Sequence, residues 1–368
     1  PGDPLRFISS ENEEAECERV VNEIIDMRLK RRCKYSDFAV LYRGNYQAKL
    51  VEIKLQSQNI PYEITGGQSF YAKTEIKDVM AYLRLIINPD DDNALLRIIN
   101  TPRRQIGPTT LEKLGEYANK RNLSLYSAID EVGLTATMPA NNLERLKRFK
   151  GWIQNVNRNV YGGNPMTAIN EMLDDADYIG WLHQNASGDH VAQKRWENVQ
   201  FLLSQLAQVL KNDDSETAEE NGDSKIENAI AKLILRDLLD REEEESADDK
   251  VQLLTLHAAK GLEFLHVFMI GMEEDILPHK NSVEGGQIEE ERRLAYVGIT
   301  RAQRTLTMTS ARQRTQFGDT SATTPSRFID ELPEDDLIRI GGGDATASAE
   351  ENQVKGAESL AALKELFG

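Results

Sequence analysis

Thr255-Leu256-His257-Ala258-Ala259-Lys260-Gly261-Leu262-Glu263-Phe264 continues an apolar run, Val251 to Leu256, that reads as a buried strand. Its polar groups crowd where the strand hands over to a loop, the usual place for ligands in an open α/β sheet. Further along, Glu290-Glu291-Arg292-Arg293-Leu294-Ala295-Tyr296-Val297-Gly298-Ile299-Thr300-Arg301-Ala302 reads as a helix that presents an arginine shortly after a glycine. Upstream, Leu41-Tyr42-Arg43-Gly44-Asn45 closes the run Phe38 to Tyr42 and is again a strand end, with an aromatic beside an arginine.

Strand and helix signals alternate around these stretches. Leu5 to Ile8 is a short apolar run; Ser10-Glu11-Asn12-Glu13 has capping-box spacing, and Cys17, Val20, Val21 and Ile24 then recur at helical intervals. Gln47 to Gln56 reads as helix, Pro61 to Thr65 as strand ending at Gly66-Gly67, and Thr74 to Ile87 as helix stopping before Asn88-Pro89. From Leu95 to about Asp249 the strand signals vanish, and Trp152, Trp181 and Trp196 all fall there, which predicts a separate helical core. Strands return at Val251 to Leu256, Val267 to Ile270 and Leu306 to Thr309, with a helix over Glu289 to Val297. The expected fold is α/β, a parallel sheet interrupted by a mostly helical inserted domain. The expected divisions are 1–95 and 251–340 for the sheet domain, 96–250 for the insertion, and 341–368 for a flexible tail after Gly341-Gly342-Gly343. Leu360, Leu363 and Phe367 could form one face of a short helix in that tail.

The 368 residues carry a net charge of −17, which excludes a basic nucleic-acid coat, and at roughly 100–200 residues per domain they make two or three domains. Asp213 to Asp223 and Glu242 to Asp249 are acid-rich runs expected as solvated loops. Basic islands lie on either side of them: Arg97, Arg103, Arg104, Lys113, Lys120 and Arg121 before, and Arg301, Arg304, Arg312 and Arg314 after, with no acid from 301 to 318. Local patches of this kind can grip a phosphate backbone on an acidic protein. Two cysteines, Cys17 and Cys33, are too few for a disulfide framework and point to a reducing compartment. No membrane span or signal peptide is expected. His183, His190 and His266 have no ligand spacing with the cysteines, so no metal site is expected; the start at Pro1 without a methionine reads as a fragment or processed chain.

The three stretches closely resemble the second half of the superfamily 1 helicases of the UvrD, PcrA and Rep family, where they match the motifs numbered four, five and six. The resemblance runs from about residue 1 to residue 340, through Gly67 to Leu83, Asn88-Pro89-Asp90-Asp91-Asp92 and Ile98-Ile99-Asn100-Thr101-Pro102. Leu41 to Asn45, Arg121-Asn122 and Leu332-Pro333-Glu334-Asp335-Asp336-Leu337 look like the Rep branch. The resemblance implies a RecA-like domain, the second of two motor domains that sandwich ATP, in a cytoplasmic bacterial helicase moving 3′ to 5′ in replication. A repair helicase of UvrD type and a non-catalytic nucleic-acid-binding module are the competing readings.

Carried over by position, Arg43 and Arg301 would meet the γ-phosphate, a role that suits planar guanidinium groups with their forked hydrogen bonds. Tyr42 would stack on adenine and Glu263 would accept from the ribose. His257 and Lys260 would couple nucleotide to DNA, while His279 and Phe317 would contact single-stranded DNA, Phe317 by stacking. Alone, each has a plainer reading: packing for Tyr42, a turn for Phe317, a loop histidine for His279, surface salt bridges for the arginines. Gln105-Ile106-Gly107-Pro108-Thr109-Thr110-Leu111 resembles the turn of a helix-hairpin-helix unit, where helix N-terminal amides meet a duplex phosphate. That turn nominates Arg103, Arg104, Ile106, Gly107, Thr109 and Thr110 for DNA, although Gln105 replaces a glycine of the family's form and a simple loop remains the alternative. None of the 24 glycines is followed by lysine, so a Gly-x-x-x-x-Gly-Lys-Ser/Thr phosphate loop is missing. The implied cofactor is therefore ATP with Mg²⁺ in an intact enzyme, with the Mg²⁺ ligands outside this chain. Implied partners are single-stranded DNA and a duplex junction, an N-terminal motor domain, and a replication protein at the tail. Two chain crossings, near Leu95 and Lys250, predict that the insertion swings on a hinge.

Overall fold

A computed structural model describes residues 3–212, 225–246, 249–316 and 319–341. Phe317, the acidic run from Asp213 to Asp223 and the tail beyond Gly341 lie outside the described residues. The chain forms two compact units, Pro1–Gln68 with Glu243–Gly368, and Ser69–Glu242.

In the first unit, strands β1 (Leu5–Asn12), β2 (Phe38–Tyr42) and β3 (Tyr62–Thr65) alternate with helices α1 (Glu13–Arg31) and α2 (Ala48–Ser57). The helix-rich unit carries α3 (Thr74–Ile87), α4 (Asp92–Ile98), α5 (Pro108–Arg121), α6 (Leu125–Ala128), α7 (Ala140–Gly162), α8 (Pro165–Asp175), α9 (Tyr178–Gln184), α10 (Asp189–Asn212) and α11 (Lys225–Ser246). The chain then returns as β4 (Val251–Thr255), β5 (Phe264–Met269), α12 (Lys280–Glu284), α13 (Ile288–Ile299), β6 (Ala302–Gln316), β7 (Asp319–Ala322) and β8 (Leu337–Ile340).

Sheet order is β3-β4-β2-β5-β6-β1-β8, parallel throughout, with β7 added antiparallel to the end of β6. Returning β4 pairs with both β2 and β3, Val40 opposite Leu253 and Ile64 opposite Leu253. The two chain segments are therefore interleaved into one sheet, which makes the residues between them an insertion. Strand β2 is buried at all five positions, as expected of a parallel strand covered on both faces.

Three sequence expectations shift. Asn12 rather than Ser10 caps α1, accepting from the Ala15 amide at 2.9 Å, because β1 runs on through the polar residues before it. The unit boundary falls after Gln68 instead of near Leu95: Phe70, Ile76, Val79, Leu83 and Ile86 share one core with Leu114, Leu146, Phe149, Ile169 and Leu202. Trp152, Trp181 and Trp196 pack against that core. Finally, the backbone of α11 continues to Ser246, through the start of the run expected as an acidic loop.

Candidate nucleotide and DNA sites

Sheet polarity sets out the candidate residues along one face. Arg43 and His257 follow the carboxyl ends of β2 and β4, whereas Glu263 precedes β5 and Arg301 precedes β6, at the opposite edge. Residues 256–263 cross between the edges: the Leu256 amide donates to the Tyr42 carbonyl at 2.9 Å and the Phe264 amide to the Arg301 carbonyl at 2.9 Å. Helix α13 makes the same crossing, with Glu291 in its first turn and Arg301 just past its end, roughly 15 Å apart at 1.5 Å rise per residue. It can lie this close because Gly298 faces the sheet; a Cβ there would sit 2.6 Å from Leu256 Cδ2 and 2.8 Å from Met269 Cε.

Arg43 is held by a fork. Its Nε donates to Glu291 Oε2 at 3.0 Å and its Nη2 to Glu291 Oε1 at 2.9 Å. Gln47 Oε1 accepts from the amides of Arg43 and Gly44, at 3.0 and 2.9 Å, which fixes the turn after β2. Glu291 also accepts from the His279 amide at 3.1 Å and from Ser282 Oγ at 2.9 Å. Burial alone would raise the Glu291 carboxyl, but the bonds from Arg43, His279 and Ser282 outweigh it and hold it below the usual carboxylate range.

Arg301 is held more loosely. It donates to the carbonyls of Val297 (3.0 Å) and Leu262 (2.8 Å) and to Thr300 Oγ1 (3.0 Å). Exposed Glu263 accepts from Gln303 Nε2 at 3.0 Å, and among the described residues no other side chain bonds it. An exposed carboxylate with spare lone pairs and two guanidinium groups on one face suit a ribose and phosphates in chemical type. His257 and Lys260 are exposed; His279 caps α12, its Nδ1 accepting from the Asn281 amide at 3.3 Å.

Tyr42 requires correction. It is 1% exposed, packed among Cys17, Val20, Val51 and Phe268, and its hydroxyl finds no hydrogen-bond partner. A ring so enclosed offers no face to a base, and desolvation pushes the phenol pKa up.

The helix-hairpin turn divides. Gly107 caps α5, Pro108 takes its first position, and Arg103 and Thr109 are exposed. Gln105 adopts a left-handed backbone, φ 58°, the conformation for which a glycine is the natural choice and the reason Gln105 stands out. Ile106, however, is a core residue at 2% exposure, and Thr110 is buried, its Oγ1 accepting from Asn142 Nδ2 at 2.9 Å. Arg104 is consumed internally. Its Nη1 donates to the carbonyls of Ile98, Thr101 and Pro102 (2.9, 3.3 and 3.2 Å) and its Nη2 to Tyr82 Oη at 2.8 Å. The guanidinium also lies 4.9 Å from the Trp152 ring centroid and 5.2 Å from that of Phe149. Ile106, Thr110 and Arg104 are thus structural.

The second basic island is similarly reduced. Arg314 is sandwiched between buried Glu16 and Glu273, and Arg312 donates to the Gly341 carbonyl. Glu16 further accepts from Thr309 Oγ1 at 2.6 Å and the Gly271 amide at 2.9 Å. Sequence reading missed both this cluster and Glu291. Glu291 stood in the quoted helix, but as one of three acids in its first turn it looked like an ordinary match to the helix dipole. Only its burial, invisible in sequence, sets it apart from Glu289 and Glu290.

The profile of the UvrD-like helicase C-terminal domain matches residues 1–313. The chain is 44% identical over 366 residues to the ATP-dependent DNA helicase Rep of Escherichia coli (strain K12), covering all of this chain and 53% of the relative. It is 40% identical over 342 residues to the ATP-dependent DNA helicase PcrA of Bacillus subtilis (strain 168), covering 92% of this chain and 45% of the relative. The chain therefore spans about half the length of the curated relatives it matches. With its interleaved parallel sheet, its helical insertion and a profile match over most of its length, the chain belongs to the UvrD-like helicase family, as a C-terminal domain.

Proposed function

We propose that this chain is the second motor half of an ATP-dependent DNA helicase of Rep type, which moves 3′ to 5′ on single-stranded DNA and opens duplex during replication. The observation that carries the reading is the disposition of Arg43, Glu263 and Arg301 along one sheet face of a chain that has no phosphate loop. Arg43 and Arg301, held roughly 15 Å apart along α13, converge on the transferring phosphoryl group when nucleotide binds, and Glu263 orients the sugar. The magnesium ligands and the water-positioning residue are assigned to the part of the relatives that this chain does not span. His257 and Lys260, beyond β4, relay nucleotide state to DNA; His279 and Phe317 hold the single strand. Arg103, Gly107 and Thr109, with Lys113 nearby, meet a duplex phosphate. The 44% identity to the Escherichia coli Rep, against 40% to the Bacillus subtilis PcrA, supports the Rep branch. The tail's partner stays with this proposal as a replication protein.

The test is to change each arginine to alanine in the intact enzyme and follow DNA-stimulated ATP hydrolysis beside single-strand binding. Turnover should fall about 10³ to 10⁵-fold, the range of arginine fingers in other phosphoryl-transfer enzymes, with binding retained. A loss smaller than about fivefold would return the arginines to structural roles.

A further inference from the structure

Glu291 is 3% exposed, yet both of its oxygens are in use, and in a paired way. Oε1 receives Arg43 Nη2 and Ser282 Oγ; Oε2 receives Arg43 Nε and the His279 amide. Each oxygen thus takes one bond from the strand end that carries Arg43 and one from the segment that carries His279. A buried carboxylate persists as an ion only while such partners compensate it, and removing one partner leaves an uncompensated charge.

We propose that Glu291 is a positioning residue which couples the nucleotide to the DNA-facing segment, by sharing its two oxygens between Arg43 and residues 279–282. The proposal rests on the reading that Arg43 serves the γ-phosphate. In the described state the fork pre-orients the guanidinium and occupies the hydrogen-bond donors that a phosphoryl group needs. Carboxylate and phosphate compete for the same planar fork. When phosphate takes Arg43, Glu291 loses half its donors, and the remaining two belong to His279 and Ser282. Residues 279–284 are short and partly exposed, so they can move to restore compensation where the sheet cannot. Linkage makes the effect reciprocal: DNA that fixes His279 alters the hold on Arg43, and with it nucleotide affinity.

The experiment uses the intact enzyme. Binding of a fluorescent oligo(dT) is measured with and without a non-hydrolysable ATP analogue, and kcat and KM for ATP are measured alongside. In Glu291→Gln the neutral amide releases Arg43, so analogue affinity should rise at least about threefold while kcat falls about tenfold. The ratio of oligo(dT) affinities with and without analogue should collapse to within about twofold of unity. Ser282→Ala cuts only the segment side and should shrink that ratio with kcat held within about twofold. A wild-type ratio already at unity overturns the proposal, as does a wild-type ratio in Glu291→Gln. Should Glu291→Gln fail to fold, an unchanged ratio in Ser282→Ala overturns it. Arg43→Ala separates the two levels: if it hydrolyses ATP at the wild-type rate, the γ-phosphate assignment itself is wrong, and if it is inactive while both other variants stay fully coupled, only the coupling role of Glu291 fails.

Discussion

Arg43 in the sheet-bearing unit directly follows β2, Arg104 in the helical unit lies in the loop between α4 and α5, and both invite assignment to a phosphate. Their surroundings differ. Arg43 faces one carboxylate, an anion that a phosphate can replace in kind, and keeps 23% of its side chain exposed. Arg104 faces three backbone carbonyls, a phenol and an aromatic cluster, none of which a ligand can replace without breaking the loop that they close. An arginine is available to a ligand when its present partner is exchangeable. By that measure Arg301, on carbonyls but at the edge of an open loop, lies between the two.

The strongest way to break this comparison is to truncate each arginine and read activity against stability. In the intact enzyme Arg43→Ala should lower ATP turnover by about 10³-fold or more, and it should also lower the melting temperature, because Glu291 stays buried with half of its donors gone. Arg104→Ala should cost stability alone, about 3 kcal/mol of unfolding free energy with turnover kept near wild type, because it strands three part-buried carbonyls and empties a site among three rings. A DNA-binding defect in Arg104→Ala at full stability would contradict the structural assignment. Denaturant titration beside a single-turnover assay gives both readings for each variant.

A smaller effect sharpens the account of the fork. The Glu291 carboxyl is held below its ordinary range, so the stability it contributes is present above the unfolded-state pKa and is lost as pH falls through the lowered value. Glu291→Gln should therefore melt lower than wild type at neutral pH and converge with it on the acid side of the carboxylate range. Parallel melting curves at every pH would show that the pairing with Arg43 contributes nothing to the fold.

Much of this architecture was legible, and the failures have physical causes. Phe38 to Tyr42, Val251 to Thr255 and Thr74 to Ile87 were readable because apolar periodicity reports burial directly. Periodicity does not say which core a buried face joins, which is why α3 was grouped with the sheet that precedes it although it packs with Leu114 and Phe149. The same gap explains Tyr42 and Ile106, whose motif positions were recognisable while their enclosure was not. Glu291 fell between the two kinds of signal: acid content marked a helix start, and burial alone marked a site.

The smallest expected effect concerns Gln105. A left-handed backbone at a residue with a Cβ is strained, by up to about 1–2 kcal/mol, and glycine's larger unfolded-state entropy takes back part of any relief. Gln105→Gly should thus raise stability by at most about 1 kcal/mol. A destabilised Gln105→Gly would mean that the side chain contributes more than its strain costs.

The central claim is that this chain carries arginines for a nucleotide site whose phosphate loop lies elsewhere. The most direct measurement is ATP hydrolysis by the purified 368-residue chain alone, with and without single-stranded DNA. Turnover should stay at the buffer background in both cases, since arginines and a ribose contact without a phosphate loop leave the positioning undone. DNA-stimulated hydrolysis by this chain would contradict it.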